Sequence, residues 1–315
     1  MCVVESVQSE ASVTREADLA ATRILVPLDG TPYAEAALRP AMTIARACNA
    51  DVVLVQAHAH STDAGASERG MLRRHDRETR HRASLYLARI EQELRTKGVR
   101  TSTRVPVGSA AEAIVAVALE THADLIIIAT HAGGGLSRPS QVSIARELVR
   151  RTAIPVLLLS STTRNPFERV GGMGLTMVIP LDGSSEGECA LPCAHRLART
   201  FGARMLLLRT MDGAATHALP HDDPRPRAVP TQQSRAAAIA YLDAVRDQLS
   251  ANEIPVWTGV TEGELYQESA RQAQAGAELI VIGVHGDTAH QERIVDSAVA
   301  VMRHSRTPVM LVRQH

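Results

Sequence analysis

The chain has 315 residues, enough for two domains of about 150 residues, each able to bury a core of its own. Its 34 basic and 34 acidic residues cancel, so no overall field draws it to nucleic acid or to an anionic membrane. Aromatic residues make up only 2%, which leaves Val, Ile, Leu, Ala and Met to build the cores.

Lys97 is the only lysine. That excludes a G-x-x-x-x-G-K-[ST] phosphate loop or a lysine Schiff base anywhere else in the chain. No apolar run approaches the ~20 residues of a membrane span. Residues 1–21 carry Glu5, Glu10, Glu16 and Asp18 and lack a charged-then-apolar leader pattern. They are expected to be a loose tail on a cytoplasmic protein.

The first half begins with a strand, Ile24–Leu28, and a turn, Asp29-Gly30-Thr31-Pro32. A helix is expected from about Tyr33 to Cys48, kinked at Pro40. A second strand follows at Asp51–Ala57, a loop at 60–70 and a long helix from Met71 to Lys97, closed by Gly98. The third strand is Val99–Val105, and a cap at Gly108–Glu112 leads into a helix at 110–120. Asp124–Ile128 is the fourth strand, 142–152 the last helix and Pro155–Leu159 the fifth strand.

Residues 161–175, rich in Ser, Thr, Asn, Pro and Gly, read as a linker between a domain at 22–160 and a domain at 176–315. The second half repeats the order of the first. Its strands are Met177–Leu181, Arg204–Arg209, Val256–Val260, Glu278–Ile282 and Val309–Val312. Its helices are 186–201 (with Pro192 where the first half has Pro40), 231–251, 264–275 and 296–304, and 212–230 is a polar insertion.

The repetition is exact enough to be a duplication. Asp29 and Asp182 lie 153 residues apart, His131 and His285 lie 154 apart, and Pro155 and Pro308 lie 153 apart. Alternating strands and helices with near-continuous apolar strands imply two doubly wound α/β domains, each with a five-stranded parallel sheet covered on both faces. In such sheets a ligand sits beyond the carboxyl ends of the strands, where strand order reverses. Asp29, Asp182 and the loops after the fourth strand of each half fall on that edge.

In the second half Gly283-Val284-His285-Gly286 leaves the fourth strand, and a helix is expected to start near Asp296-Ser297. Helix starts hold anions through unpaired N–H groups, and glycines let the backbone approach a phosphate. The first half has Ala129 and Ala132 in place of the glycines, then Val142-Ser143. Asp296 is open to three roles: a helix cap, a ligand of nucleotide-bound Mg²⁺, or a like charge facing a polyphosphate.

Other polar residues carry less. Asp29 and Asp182 fit either a ribose contact or a turn-capping role. His131 and His285 read as loop residues, because no paired carboxylate or nucleophile lies near them in sequence. His58-x-His60 lacks a third metal ligand, so no metal site is expected. Arg73–Glu78 reads as a solvated helix face, and Trp257 is too isolated to be a base-stacking platform. Cys2, Cys48, Cys189 and Cys193 form no metal or redox spacing; Cys189 and Cys193 are expected to share a helix face as small apolar residues.

The Val-Pro-Leu-Asp-Gly-Thr block at Val26–Thr31, its copy Ile-Pro-Leu-Asp-Gly-Ser at Ile179–Ser184, the strands at 124–128 and 278–282, the His131 and His285 loops and the closing Pro-Val strands resemble the universal stress protein family in its tandem form. The resemblance implies a Rossmann-like fold of the adenine nucleotide alpha hydrolase type. Nucleotide-binding members carry G-x2-G-x9-G-[S/T] after strand four, so the resemblance implies ATP, with Mg²⁺, as the ligand. Carried onto this chain, the site is Pro180, Leu181, Asp182, Thr210, Gly283, His285, Gly286, Asp296 and Ser297 in the second domain. The degenerate first-domain set is Pro27, Leu28, Asp29, Ala57, Ala129, Ala132, Val142 and Ser143.

The expected function is that of a non-enzymatic stress-response regulator that binds ATP in its second domain. The alternative is a nucleotide-free scaffold of the same fold. An adenylyl-transferring enzyme is disfavoured, since the loops supply one His each and no Lys. The last strands are expected to pair the two halves as an internal dimer, and the tandem unit is itself open to homodimerisation.

Overall fold

Each apolar strand contributes to two cores, one on either side of a single sheet. In the computed structural model Ile24 and Val26 enter one core and Leu25 the other; Met177 and Ile179 repeat this opposite Val178. That is the period-two alternation of a strand covered on both faces. The structure describes residues 22–58, 69–130, 141–168, 174–211, 231–249 and 254–313. The expected tail at 1–21, the loop around His131 and Ala132, His60 and the insertion at 212–230 lie outside them.

The first half comprises β1 (Arg23–Pro27), α1 (Leu38–Cys48), β2 (Asp51–Val55), α2 (Arg69–Thr96), β3 (Thr101–Arg104), α3 (Ala110–Glu120), β4 (Leu125–Thr130), α4 (Gln141–Arg151) and β5 (Val156–Ser160). The second comprises β6 (Thr176–Pro180), α5 (Ala190–Phe201), β7 (Arg204–Thr210), α6 (Gln232–Leu249), β8 (Val256–Thr261), α7 (Leu265–Gln274), β9 (Leu279–Val284), α8 (Thr288–Ser305) and β10 (Val309–Arg313). Helices α1, α2, α5 and α6 cover one face, while α3, α4, α7 and α8 cover the other.

The sheet order is β3-β2-β1-β4-β5-β10-β9-β6-β7-β8. Within each half all pairs are parallel, and strand order reverses between β1 and β4 and between β6 and β9. The two halves meet where β5 and β10 pair antiparallel, Leu157 opposite Met310. This covers two edges whose residues are almost wholly buried, Val156–Ser160 and Val309–Val312. Left open, those edges would be templates for aggregation. Each large aliphatic side chain buried there contributes about 1.5–3 kcal/mol.

Two local expectations are corrected. Pro40 and Pro192 produce no mid-helix kink: a short 3-10 turn (Ala34–Ala37, Gly187–Cys189) precedes each helix, and each proline is the third residue of α1 or α5. In the first turn an N–H has no intrahelical acceptor, so proline removes nothing. The helix expected to open at Asp296 instead opens at Thr288. Its cap is Asp287, whose Oδ1 accepts the His290 N–H at 2.8 Å. A side-chain oxygen at that position satisfies one of the orphan donors of the first turn.

Candidate functional site

The tips of β1 and β6 carry the same turn. Asp29 Oδ1 accepts the Thr31 N–H at 2.9 Å and the Thr31 hydroxyl at 2.5 Å. Asp182 Oδ1 accepts the Ser184 N–H at 2.9 Å and the Ser184 hydroxyl at 2.7 Å. The Ser184 hydroxyl then takes the Gly187 N–H at 3.0 Å, which opens the 3-10 turn. Both aspartates therefore build their own turns, as the local sequence Asp-Gly-[Ser/Thr] favours. Beyond that shared base the two tips differ.

In the first half Asp29 and Gly30 are exposed. Beside them lies Gln56, whose buried Oε1 has no hydrogen-bond partner among the described residues. Pro27 ends β1, Leu28 is buried behind it and Ala57 follows β2. Ala129 is buried within β4, and Val142 and Ser143 lie within α4. Ala132 lies outside the described residues.

In the second half the tip is filled by the protein's own side chains. His285 Nε2 lies 3.3 Å from Asp182 Oδ2, with both side chains about nine-tenths buried. The His285 and His290 rings are 5.2 Å apart. The Arg209 guanidinium lies against Gly183, with Cζ 2.5 Å from where a side chain on that glycine would begin. It also stacks on Tyr241, 4.5 Å from the ring centroid. The Tyr241 hydroxyl donates to Glu188 at 2.8 Å. Burial, then this bond to a carboxylate, pushes the Tyr241 hydroxyl above the ordinary phenol range. Pro180 and Leu181 are buried, and Thr210 is 1% exposed with no hydrogen-bond partner for its Oγ1 among the described residues.

The glycines expected to bare the main chain for a phosphate have other neighbours. Gly283 is inside β9, and the place of a Cβ on it is taken by the Gly187 carbonyl, with Cys189 Sγ 3.1 Å away. Gly286 has φ +80°, and a Cβ there would come within 2.9 Å of His290 Cδ2. Ser297 is 7% exposed and is the tenth residue of α8. At 1.5 Å of rise per residue it lies about 14 Å along the axis from the helix start. Its backbone N–H is an interior helix donor, not one left unpaired at the start.

Asp296 faces the other half of the molecule. Arg146 of α4 grips it with Nε at 2.8 Å from Oδ1 and with Nη2 on both oxygens. The aspartate that replaces the third glycine of the motif is an interdomain ion pair between α4 and α8. Its expected helix-cap role is overturned, since Asp287 caps α8 and Asp296 lies within the helix.

Sequence reasoning missed Arg209, Tyr241, Glu188, Gln56 and Arg146. The duplication held a signal for most of them: Gln56 and Arg209 are 153 residues apart, as are Glu35 and Glu188. The first half repeats the Tyr–Glu pair, with the Tyr86 hydroxyl donating to Glu35 at 3.1 Å. The early start of α8 was also legible, because Gly286-Asp287 is a turn-and-cap pair and no breaker follows before Ser305.

The remaining candidates are placed as follows. His58 is buried and its Nε2 is 3.4 Å from Asp76 Oδ1. Among the described residues no group of three His, Cys, Asp or Glu is arranged for a metal. Cys189 Sγ donates to the Val312 carbonyl at 3.3 Å and Cys193 Sγ lies 3.5 Å from Met310 Sδ, so both pack on β10. Burial pushes both thiols up to about 11. Trp257, half exposed on β8, has the Arg204 guanidinium 5.6 Å from its ring centroid. Among the described residues no helix is long and apolar enough to cross a membrane.

The fold and the paired strand-tip turns define a duplicated α/β protein with a Rossmann-like sheet in each half. The universal stress protein family model matches twice, over residues 21–160 and 174–313, and the chain belongs to that family. Among solved structures, a universal stress protein from Archaeoglobus fulgidus is similar at 12% identity and a TM-score of 0.64, covering 94% of this chain and 97% of its own. A universal stress protein described as putative, from Pseudomonas aeruginosa, is similar at 19% identity and a TM-score of 0.58, covering 94% of each chain. At these identities the likeness is one of fold. No curated protein matches the chain.

Proposed function

We propose that this universal stress protein is a non-enzymatic adaptor whose second domain works without a nucleotide. The observation that carries this is the position of Ser297, deep in α8 and buried, where a phosphate-binding serine would stand at a helix start. ATP with Mg²⁺ does not fit the second-domain residues. Asp182 is engaged by Ser184 and His285, Asp296 by Arg146, and the space over Gly183 by Arg209. The joined sheet reads as an internal dimer, with partner proteins engaged by its outer surfaces.

A second reading is favoured by the first domain: a weak adenine nucleotide site at its own tip. Asp29 is exposed, and Gln56 Oε1 is a buried acceptor able to take an amino N–H of the base. Titration calorimetry of the whole chain with ATP and Mg²⁺ separates these. No heat at millimolar ATP supports the adaptor. Heat lost in Asp29→Ala and kept in Asp182→Ala supports the second reading. Heat lost only in Asp182→Ala overturns both.

A further inference from the structure

A cavity of about 1010 Å³ lies between the two halves, away from both strand tips. Its walls are the start of α1, the segment 159–168 that follows β5, and the turns that lead into β9 and β10. None of Asp29, Gly30, Gln56, Asp182 or Arg209 lines it. It exists because the β5–β10 pairing sets the carboxyl end of one half beside the amino end of the other. Its volume is that of a site for a small organic ligand.

The charges on its walls are unequal in their engagement. Arg39 is held by both oxygens of Glu168 at 3.2 Å. Glu278 Oε2 accepts the Thr176 N–H at 3.3 Å. The guanidinium groups of Arg164 and Arg306 also line the cavity and make no hydrogen bond or ion pair among the described residues. Ser161 adds a hydroxyl to the same wall.

Arg306 is also held in an unusual backbone state. It is the C-cap of α8, with φ 57° and ψ 21°, a left-handed conformation that glycine adopts without cost and a long side chain does not. Among the described residues Asn49 and Gly202 cap α1 and α5 in the same conformation, and His122, just after α3, is also left-handed at φ 49°. An arginine kept where glycine would be more stable points to use of its side chain.

We propose that this cavity binds a phosphorylated small molecule, with Arg164 and Arg306 as the two planar forks that take its phosphate oxygens. Guanidinium groups present paired N–H donors at the spacing of phosphate oxygens and are weakly hydrated, so they give up water readily. The site is independent of the nucleotide question at the strand tips. It draws on both halves and on the segment between them, so no single domain of this family would contain it.

The test is thermal melting of the full chain with pyrophosphate, against sodium chloride at matched ionic strength. Pyrophosphate is expected to raise Tm by about 2–4 °C beyond the chloride control. The double variant Arg164→Gln, Arg306→Gly should lose that increment. Because glycine relieves the left-handed strain, Arg306→Gly should itself melt no lower than the parent. Arg164→Gln alone, on an exposed segment, should lose at least half of the increment. Asp29→Ala should keep it in full, which separates this site from the first-domain tip. A pyrophosphate increment that survives in the double variant, or a parent that shows none beyond chloride, overturns the proposal.

Discussion

The two strand tips share one turn, and the described residues around it differ. At the first, an exposed aspartate and a glutamine whose carbonyl oxygen is buried stand beside Gly30. At the second, the stretch from His285 onward is a three-residue turn followed by the first turns of α8, and Arg209, Tyr241 and His285 fill the tip. Yet the second half keeps the glycines and the first has lost them. The tip that keeps them is filled by side chains. Gly283 is retained for a protein contact, since the Gly187 carbonyl lies where its side chain would be. A glycine shows only that something comes close, and here that neighbour is main chain.

Alkaline pH should strain the comparison most. Cys189 and Cys193, both in the second half, are raised from 9.0 to about 11, chiefly by burial. A folded-state pKa above the unfolded one gives stability that is complete below pH 9 and is lost as pH rises through about 11. Tm should therefore hold to pH 9 and fall steeply above it. Cys193→Val, which removes the fully buried thiol, should move the alkaline midpoint upward. An unchanged midpoint would show that the thiol does not drive the fall.

Gly283→Ala comes next. The added methyl meets the Gly187 carbonyl and Cys189 Sγ inside a buried strand, so urea denaturation should show a loss of about 2–3 kcal/mol. The reciprocal Ala129→Gly in β4 should cost about 1–2 kcal/mol, from backbone entropy and the loss of a buried methyl. If Gly283→Ala proves neutral, the close contact is not real and the glycine is again available for a ligand.

Gly286→Ala should lose about 1–2 kcal/mol, because φ +80° suits only glycine there and His290 crowds the new methyl. A stable alanine variant would mean that the turn before α8 is looser than described. Its near neighbour Asp287→Ala removes the cap and should cost about 1 kcal/mol, read by the same denaturation curve.

The Arg146–Asp296 pair should matter least. Its side chains are 39% and 29% exposed, so solvent screens it, and a double-mutant cycle with alanine at both positions should return about 0.5–1 kcal/mol of coupling. Coupling of zero would remove the ion pair as a tie between the halves. Asp296→Gly should weaken the fold by a further ~0.3 kcal/mol through helix propensity.

Much of the fold could be read without coordinates. Ile24–Val26 against Met177–Ile179, or Asp29-Gly30-Thr31 against Asp182-Gly183-Ser184, reveal the duplication by their fixed spacing. The strands follow from their apolar runs. The local turn chemistry of both aspartates was equally legible, because an Asx turn needs only the residues two and three places on. What failed was the motif spacing carried to Asp296 and Ser297, which assumes a loop where Asp287 caps a helix.

The sequence by itself determined the number of halves, the order of their elements and the side of the sheet on which any site must lie. Those depend on period, punctuation and short-range bonds, all of which act over a few neighbouring residues. Only the tertiary structure decided that Arg146 reaches Asp296 across 150 positions, that Arg209 lies on Tyr241, and that the Gly187 carbonyl presses against Gly283. Such contacts join residues far apart in the chain, and packing rather than local preference selects them. That is why one short turn, written twice, has Gln56 beside it at one tip and Arg209 stacked on Tyr241 at the other.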